Sequence, residues 1–371
     1  MTDLRSGVLP SQHLRALIAQ GRIAARDSSH ACPFDADQVQ PASLDLRLGR
    51  RAWRVRASFL AGATRTVAER LADFAMHEID LGPQGGPGAA LETGCVYVVE
   101  LMERLALPPD VSGAANAKSS TGRLDLFTRV IADNGVAFDR VPAGYEGPLY
   151  AEISPRTFSV LARAGARLAQ LRLRRGEPGF SDRDLGALHR AAHLVDGEAV
   201  IDGGLAFSVD LAPRAGRPVG WRARRHSGLI DLDRLNYYDP AEFWDAVNPG
   251  RGGGIILDPG AFYILVSRES VHIPPDCAAE MAPYMAVAGE FRVHYAGFFD
   301  PGFGHGAAGG AGSRAVLEVR CFEAPFALEH GQVVGRLVYE PMLETPDILY
   351  GQGIGSTYQA QGLRLSKHFR A

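Results

Sequence analysis

Two stretches of this chain carry nearly the same message. "LETGCVYVVELMERLALPPD" at 91–110 matches "LDPGAFYILVSRESVHIPPD" at 257–276, 166 residues further on. The same spacing relates "LYAEI" around Glu152 to "AVLEV" around Glu318. It also relates "ARAGARLAQLRL" to "LEHGQVVGRLVY", with Gly165 over Gly331. "ASLDL" at 42–46 matches "FSVDL" at 207–211, with a spacing of 165. Self-similarity at one long period marks a repeated structural unit. The 371 residues therefore read as a tandem duplication, with a first domain over 1–175 and a second over 176–371. The break falls near "LRRGEPGFSDRD", rich in charge, Gly and Pro.

Each copy opens on a helical pattern. "SQHLRALIAQG" puts Leu14, Leu17 and Ile18 on one face, with Ser11 as N-cap and Gly21 as stop. "SDRDLGALHRAAHL" repeats the device with Leu185 and Leu188, and Ser181 and Asp184 fit a capping box. Beyond these helices the period changes. "SLDLRLG", "CVYVVEL", "AFYILV", "AVLEVRCF" and "QVVGRLVYE" are β-branched or alternating runs bounded by Gly and Pro, which predict short strands. The expected class is mainly β, a barrel or sandwich with a few short helices. Residues 305–313, "HGAAGGAGS", read as a flexible loop.

A net charge of −3 argues against a general nucleic-acid or membrane-surface binder. The N-terminal residues are mixed and charged, and no run reaches the length of a membrane span, so a cytoplasmic location is expected. The four cysteines contain no C-x-x-C pair, which leaves no zinc ribbon or redox dithiol.

Three segments carry chemistry. The first is "AKSSTGRL" at 117–124, which holds one of only two lysines. A polyphosphate needs many donors and compensating positive charge at one place. Ser119 and Ser120 offer donors, Arg123 a bidentate fork and Lys118 a point charge. A polar turn with an exposed arginine is the plainer alternative. The segment is not a P-loop, because the glycines of that motif are missing. The second is "YAGFFDPGFG" at 295–304, a hairpin tip with Asp300 in its turn, followed by Glu318 on an apolar strand. A carboxylate there is costly unless paired or used, and a buried glutamate suits proton transfer near neutrality. A glutamate on the solvent face of the strand is the alternative, and Glu152 holds the same place in the first copy. The third is "YGQGIGSTYQAQG" at 350–362, a frayed tail or a lid.

Taken in order, "VQPASLDLRLG", "KSSTGRLDL", a hairpin, a strand glutamate and "GARLAQL" resemble the dCTP deaminase family, in its tandem, double-length form. The resemblance implies two dUTPase-like distorted jelly-roll β-barrels and hydrolysis of dCTP to dUTP and ammonia. It implies that Ser119, Ser120 and Arg123, with Lys118 beside them, hold the triphosphate. The general base falls on Glu318 or Glu152. The base-reading hairpin falls on Ala132 in copy one and on Ala296 to Asp300 in copy two. Tyr350, Tyr358 and Gln361 match the closing tail, whose family lysine is Thr357 here. Mg2+ is expected with the triphosphate, bound mainly through its oxygens and water. The resemblance implies a homotrimer or pseudo-trimeric assembly, and feedback by dTTP stays open. Zinc is not expected, since no H-x-E or P-C-x-x-C occurs.

The two copies depart from the family pattern in complementary ways. A spacing of 166 puts Met285, Ala286 and Gly289 where Ser119, Ser120 and Arg123 stand. Copy one has the looser hairpin "FDRVPAGYEG" and no tail. The expectation is a composite site, with phosphate contacts from copy one and Asp300, Glu318 and the tail from copy two. Two rivals stay open. One is a dUTP pyrophosphatase or bifunctional enzyme that uses Asp139 or Asp300. The other is a non-catalytic nucleotide-binding protein.

Overall fold

The computed structural model describes residues 6–27, 30–283, 291–294, 297–352 and 362–371. The chain is mainly β, with few and short helices. It divides into two compact units, 1–178 with 228–235, and 179–227 with 236–371.

In the first unit the strands run Val111–Ala117, Arg167–Arg175, Leu44–Val55, Val96–Ala106, Glu146–Pro155 and Leu126–Ala132 across one antiparallel sheet. The central strands Arg167–Arg175 and Leu44–Val55 are buried on both faces over much of their length, with Asp45, Arg47 and Arg172 buried between the leucines. Leu44, Leu46, Leu101, Leu171 and Leu173 are at most 3% exposed and fill the core that their strands share. The helix Ser11–Ala19 buries Leu14 and Leu17, as its periodicity demands. Its cap is Pro10 rather than the expected Ser11, which is the first helical residue. The chain then turns at Gly21, with φ +69°.

The second unit splits the same pattern over two sheets. Cys277–Pro283 pairs with Val333–Pro341, which pairs with Leu205–Ser208. Gly220–Ala223 pairs with Phe262–Val271, which pairs with Ser313–Cys321. Leu205, Phe207, Leu265, Leu317, Leu337 and Tyr339 lie in one buried cluster between them. The entry helix Asp182–Ala192 is capped by Ser181, whose Oγ accepts the Asp184 N–H and donates to the Asp184 carboxylate. Residues 305–313 form a closed loop. Its His305 caps a 3-10 turn at Gly306–Ala308, and Gly312 N donates to Gly304 O at 2.8 Å.

The pairings of the two units share a register. Glu152 lies opposite Val98, and Glu318 opposite Ile264. Ala117 faces Ala169, and Pro283 faces Gly335. Each second pair is the first with 166 added. One match read from the sequence does not survive. Arg47 pairs with Arg167 and Ser208 with Val333, so Arg47 and Ser208 hold the same place with a spacing of 161, not 165. A shared brace agrees. Glu103 accepts the Arg47 N–H at 2.7 Å, and Glu269 accepts the Ser208 N–H at 2.7 Å.

The sequence carried no sign of the excursion at 228–235. There Ile230–Asp231 pairs in parallel with Val160–Leu161. Arg163 holds it by bonds to Asp231 at 2.6 and 3.1 Å and to Asp233 at 3.0 Å.

Candidate active site

In the first unit "AKSSTGRL" leaves the strand Val111–Ala117 and coils into one helical turn, Ser119–Gly122, with Lys118 as N-cap. The Thr121 and Gly122 N–H groups close on Lys118 O at 2.8 and 3.0 Å. Ser120 and Arg123 are buried, and Ser119 is half-buried. The Lys118 ammonium is not a loose charge. Its Nζ donates to the Asp45 carboxylate, which Arg167 also approaches at 3.7 Å. Asp45 is the aspartate of "SLDL", so the strand match fixes the lysine of the phosphate-type block.

Glu152 is 2% exposed in the same unit. Arg129 lies directly across the ladder from it. The guanidinium donates to Glu152 Oε1 from Nη2 at 2.5 Å and Nε at 3.2 Å, and Nη2 also reaches Ser58 Oγ at 2.9 Å. The Arg129 Cζ stands 3.5 Å from the centre of the Phe138 ring. Over the same face packs the helix Val67–Phe74, with Phe59, Val67, Leu71, Val98 and Tyr150 in one apolar cluster. Asp133 accepts the Val67 N–H at 2.7 Å, which ties that helix to the hairpin. Ala132 itself is buried, and its carbonyl accepts the Gly135 N–H. Burial of the neighbouring Tyr145 pushes its hydroxyl up to about 12. Asp139 is used structurally: its Oδ1 accepts the Val130 N–H at 2.8 Å.

In the second unit Glu318 is 4% exposed, in the middle of Ser313–Cys321. The hairpin "DPGFG" lies in the same unit. Asp300 is buried, and its carbonyl accepts the Phe303 N–H at 3.1 Å. Two glycines make this turn attainable. At Gly302, φ +95°, a Cβ would meet Leu349 Cβ at 2.9 Å. At Gly304, φ +66°, it would meet Val271 O at 2.1 Å. Tyr350 docks on the hairpin, its N–H on Pro301 O at 2.8 Å and its ring 5.6 Å from Phe303. Ala296, Tyr358 and Gln361 lie outside the described residues, as do Met285, Ala286, Gly289 and Thr357.

Sequence reasoning missed Arg129 and Asp45 as partners. Asp45 stood in the quoted "SLDL" without a role, and Arg129 is a lone charge in the strand "LFTRVIA". Register places Arg129 against Glu152, and the fold brings Lys118 to Asp45 across the strand Arg167–Arg175 that lies between theirs.

Comparison with known proteins accounts for both halves. Residues 5–177 match the model of the 2'-deoxycytidine 5'-triphosphate deaminase N-terminal domain, and residues 181–369 that of the C-terminal domain. The chain belongs to the dCTP deaminase family. It is similar to the crystal structure of 2'-deoxycytidine 5'-triphosphate deaminase from Agrobacterium tumefaciens, at 53% identity and a TM-score of 0.87. That match covers 94% of this chain and 99% of that one. It is also similar to a dCTP deaminase of Halorubrum lacusprofundi, 32% identical over 139 residues, which is 37% of this chain and 64% of the relative. A protein of Parafrankia sp. named dCTP deaminase, dUMP-forming, is 30% identical over 169 residues, 44% of this chain and 74% of its own length. The family thus found is the one that the ordered motifs resemble. Among the described residues no helix is long and apolar enough to cross a membrane.

Proposed function

We propose that this protein hydrolyses the exocyclic amine of dCTP, with Glu318 as general base and Ser119, Ser120 and Arg123 as triphosphate contacts. The observation behind this choice is the contrast between the two strand glutamates. Glu152 is engaged by Arg129, and the helix Val67–Phe74 packs over its face, whereas Glu318, with His294 opposite it in the ladder, shares its unit with the "DPGFG" hairpin and Tyr350. A carboxylate in a water-poor site takes a proton from water as the oxygen bonds to C4 of the ring. It then passes that proton to the amine. The C4–N bond breaks and ammonia leaves, and the remaining hydroxyl proton moves to N3 as the C4 carbonyl forms. Arginine and hydroxyl donors on the remote triphosphate hold the ring in line for this step.

Magnesium belongs to the triphosphate in this reading, held by phosphate oxygens and water. Among the described residues no group of three or more His, Cys, Asp and Glu side chains could hold a metal ion. We expect a zinc-selective chelator to leave turnover intact. Loss of turnover that added zinc restores would overturn this point. The proposal includes a trimeric or pseudo-trimeric assembly, measurable by light scattering on the eluting protein, and dTTP as a feedback ligand.

The deciding experiment is incubation of the purified chain with dCTP and magnesium, with product identification. dUTP and ammonia support the deaminase. dUMP with pyrophosphate supports the bifunctional reading, which the dUMP-forming relatives favour. Nucleotide binding without turnover would point to the non-catalytic alternative.

A further inference from the structure

The shared register locates one place where the two units differ in length. In the first unit a single strand, Leu44–Val55, runs from its Arg167–Arg175 partner to Val96–Ala106, and it bulges between Leu48 and Ala52. In the second unit this strand is broken into Leu205–Ser208 and Gly220–Ala223. Arg47 corresponds to Ser208. Trp53, opposite Val98, corresponds to Trp221, opposite Ile264. Five residues separate the first pair of positions and twelve the second. The additional chain forms an arch, bonded at its start to Phe262–Val271 through Asp210 N–H on Val266 O and closed by the Arg217 N–H on Arg214 O, where that strand itself bulges, between Val266 and Ser270.

Under that arch is a cavity of about 270 Å³, against about 80 Å³ at the bulge of the first unit. Its charged lining is Asp210, Arg214 and Arg314, an excess of one positive charge. Asp210 is buried and organises both arginines. Its Oδ2 accepts from Arg214 Nη2 at 2.5 Å and from Arg314 Nη1, while Oδ1 accepts the Ala212 N–H at 3.1 Å. Beside the pocket, His330 Nδ1 accepts the Leu211 N–H at 3.1 Å. Burial would raise the Asp210 carboxyl, but the hydrogen bond from Arg314, the Ala212 N–H and the two guanidinium charges outweigh it and hold it below the usual carboxylate value. A single carboxylate thus aims two guanidinium forks into one pocket. This arrangement suits a tetrahedral oxyanion, which accepts several N–H donors at once. The smaller cavity of the first unit is also lined by arginines, Arg26, Arg50, Arg51 and Arg104, although Arg50 and Arg51 are paired with Asp80 and Glu78.

We infer that the arch 209–219, with Gly362 and Leu363 from the end of the tail beside it, builds a phosphate-binding pocket on Arg214 and Arg314 in the second unit, distinct from the triphosphate contacts Ser119, Ser120 and Arg123. Its ligand is a phosphoryl anion, either inorganic or carried by a small organic molecule. The test is calorimetric titration of the full chain at low ionic strength with inorganic phosphate, pyrophosphate and dUMP. Titrations use the wild type, Arg214→Glu and the milder Arg214→Ala. Arg214 is half-exposed, so both variants should fold, and circular dichroism checks this. We expect the wild type to bind at least one probe, Arg214→Ala to weaken it about tenfold, and Arg214→Glu to abolish it. The inorganic probes and dUMP distinguish a bare anion from a phosphate on an organic carrier, and both outcomes fit the inference. Absence of binding to wild type, or equal binding to all three proteins, overturns it. Steady-state kinetics supply the second readout: KM and kcat for dCTP should be unchanged in Arg214→Ala. A rise in KM matching the lost phosphate affinity would place the pocket in the substrate site and overturn the separation.

Discussion

Glu152 and Glu318 stand at one register position in strand pairs of the two units, 166 residues apart, and the two units treat them differently. The first unit places Arg129 across from its glutamate, stacks that arginine on Phe138 and lays the helix Val67–Phe74 over the face. The second unit puts a glycine-dependent hairpin and Tyr350 in the same fold unit as its glutamate. The lesson is that a shared sheet preserves the position of a carboxyl group without preserving its task. The surroundings set whether it serves stability or proton transfer.

The sharpest test of this difference is a pair of isosteric substitutions. Glu318→Gln should lower kcat by about 10³-fold, the range general-base removal gives. Glu152→Gln should leave kcat within about threefold, because it touches no reacting atom in this reading. Steady-state rates with dCTP decide. If Glu152→Gln alone abolishes turnover, the assignment of tasks is reversed.

The next effect in size concerns substrate binding. Arg123→Ala should raise KM for dCTP by about 10–100-fold, since a charge-assisted phosphate contact is worth roughly 1.5–3 kcal/mol. Arg123→Lys should recover only part of this, because an ammonium has no planar fork. An unchanged KM in both variants would remove the 119–123 turn from the phosphate site.

A smaller effect should be seen in stability alone. Glu152→Gln removes a mostly buried ion pair and leaves Arg129 uncompensated, at a cost of about 2 kcal/mol, below the range for fully buried pairs because Arg129 is partly exposed. For a domain of this size that is about 4–8 °C in Tm. Arg129→Met with Glu152→Gln should recover much of it, because no unpaired charge remains. If the double variant is no more stable than the single one, Glu152 is not a paired structural residue.

How much of this was visible beforehand follows from the kind of signal each feature leaves. The 166-residue spacing and the strand alternation put Glu152 and Glu318 on equivalent strands, because both depend on spacing along the chain. The phosphate-type block was legible because its residues are contiguous. Arg129 was not, since its meaning lies in a cross-strand register that no local pattern encodes. The "ASLDL" and "FSVDL" match misled because an Asp-Leu pair recurs close to the true equivalent, while the arch lengthens the second copy just beyond it. The helix starts at Ser11 itself, with Pro10 extended at the cap position, φ −77° and ψ 168°, and no side-chain cap bond. The excursion 228–235 is held by one arginine and two aspartates far apart in sequence, and such clamps have no sequence signature.

The smallest expected effect separates the units by pH. His272 follows the strand Phe262–Val271, and the matching place in the first unit is Ala106. Burial, reinforced by the charges of nearby His305 and His193, holds the His272 imidazole below its ordinary 6.5 against the opposing Asp196 carboxylate and the Gly304 backbone hydrogen bond. A histidine depressed in the folded state is neutral there while the unfolded chain takes up its proton. The unfolded state then binds more protons, so stability is fully present above 6.5 and is lost as pH falls from 6.5 through the lower folded value. Thermal melts of the wild type should therefore fall more steeply below 6.5 than those of His272→Asn, whose side chain does not titrate. The hairpin adds a local reading of the same event. A Cβ at Gly312 would lie 3.2 Å from His272 Nε2, so the ring rests against the loop that closes on Gly304. Proteolysis of that loop should accelerate in acid in the wild type and not in the variant, with the first unit's hairpin unaffected in both. Parallel acid profiles for the two proteins would show that His272 contributes nothing to the difference between the units.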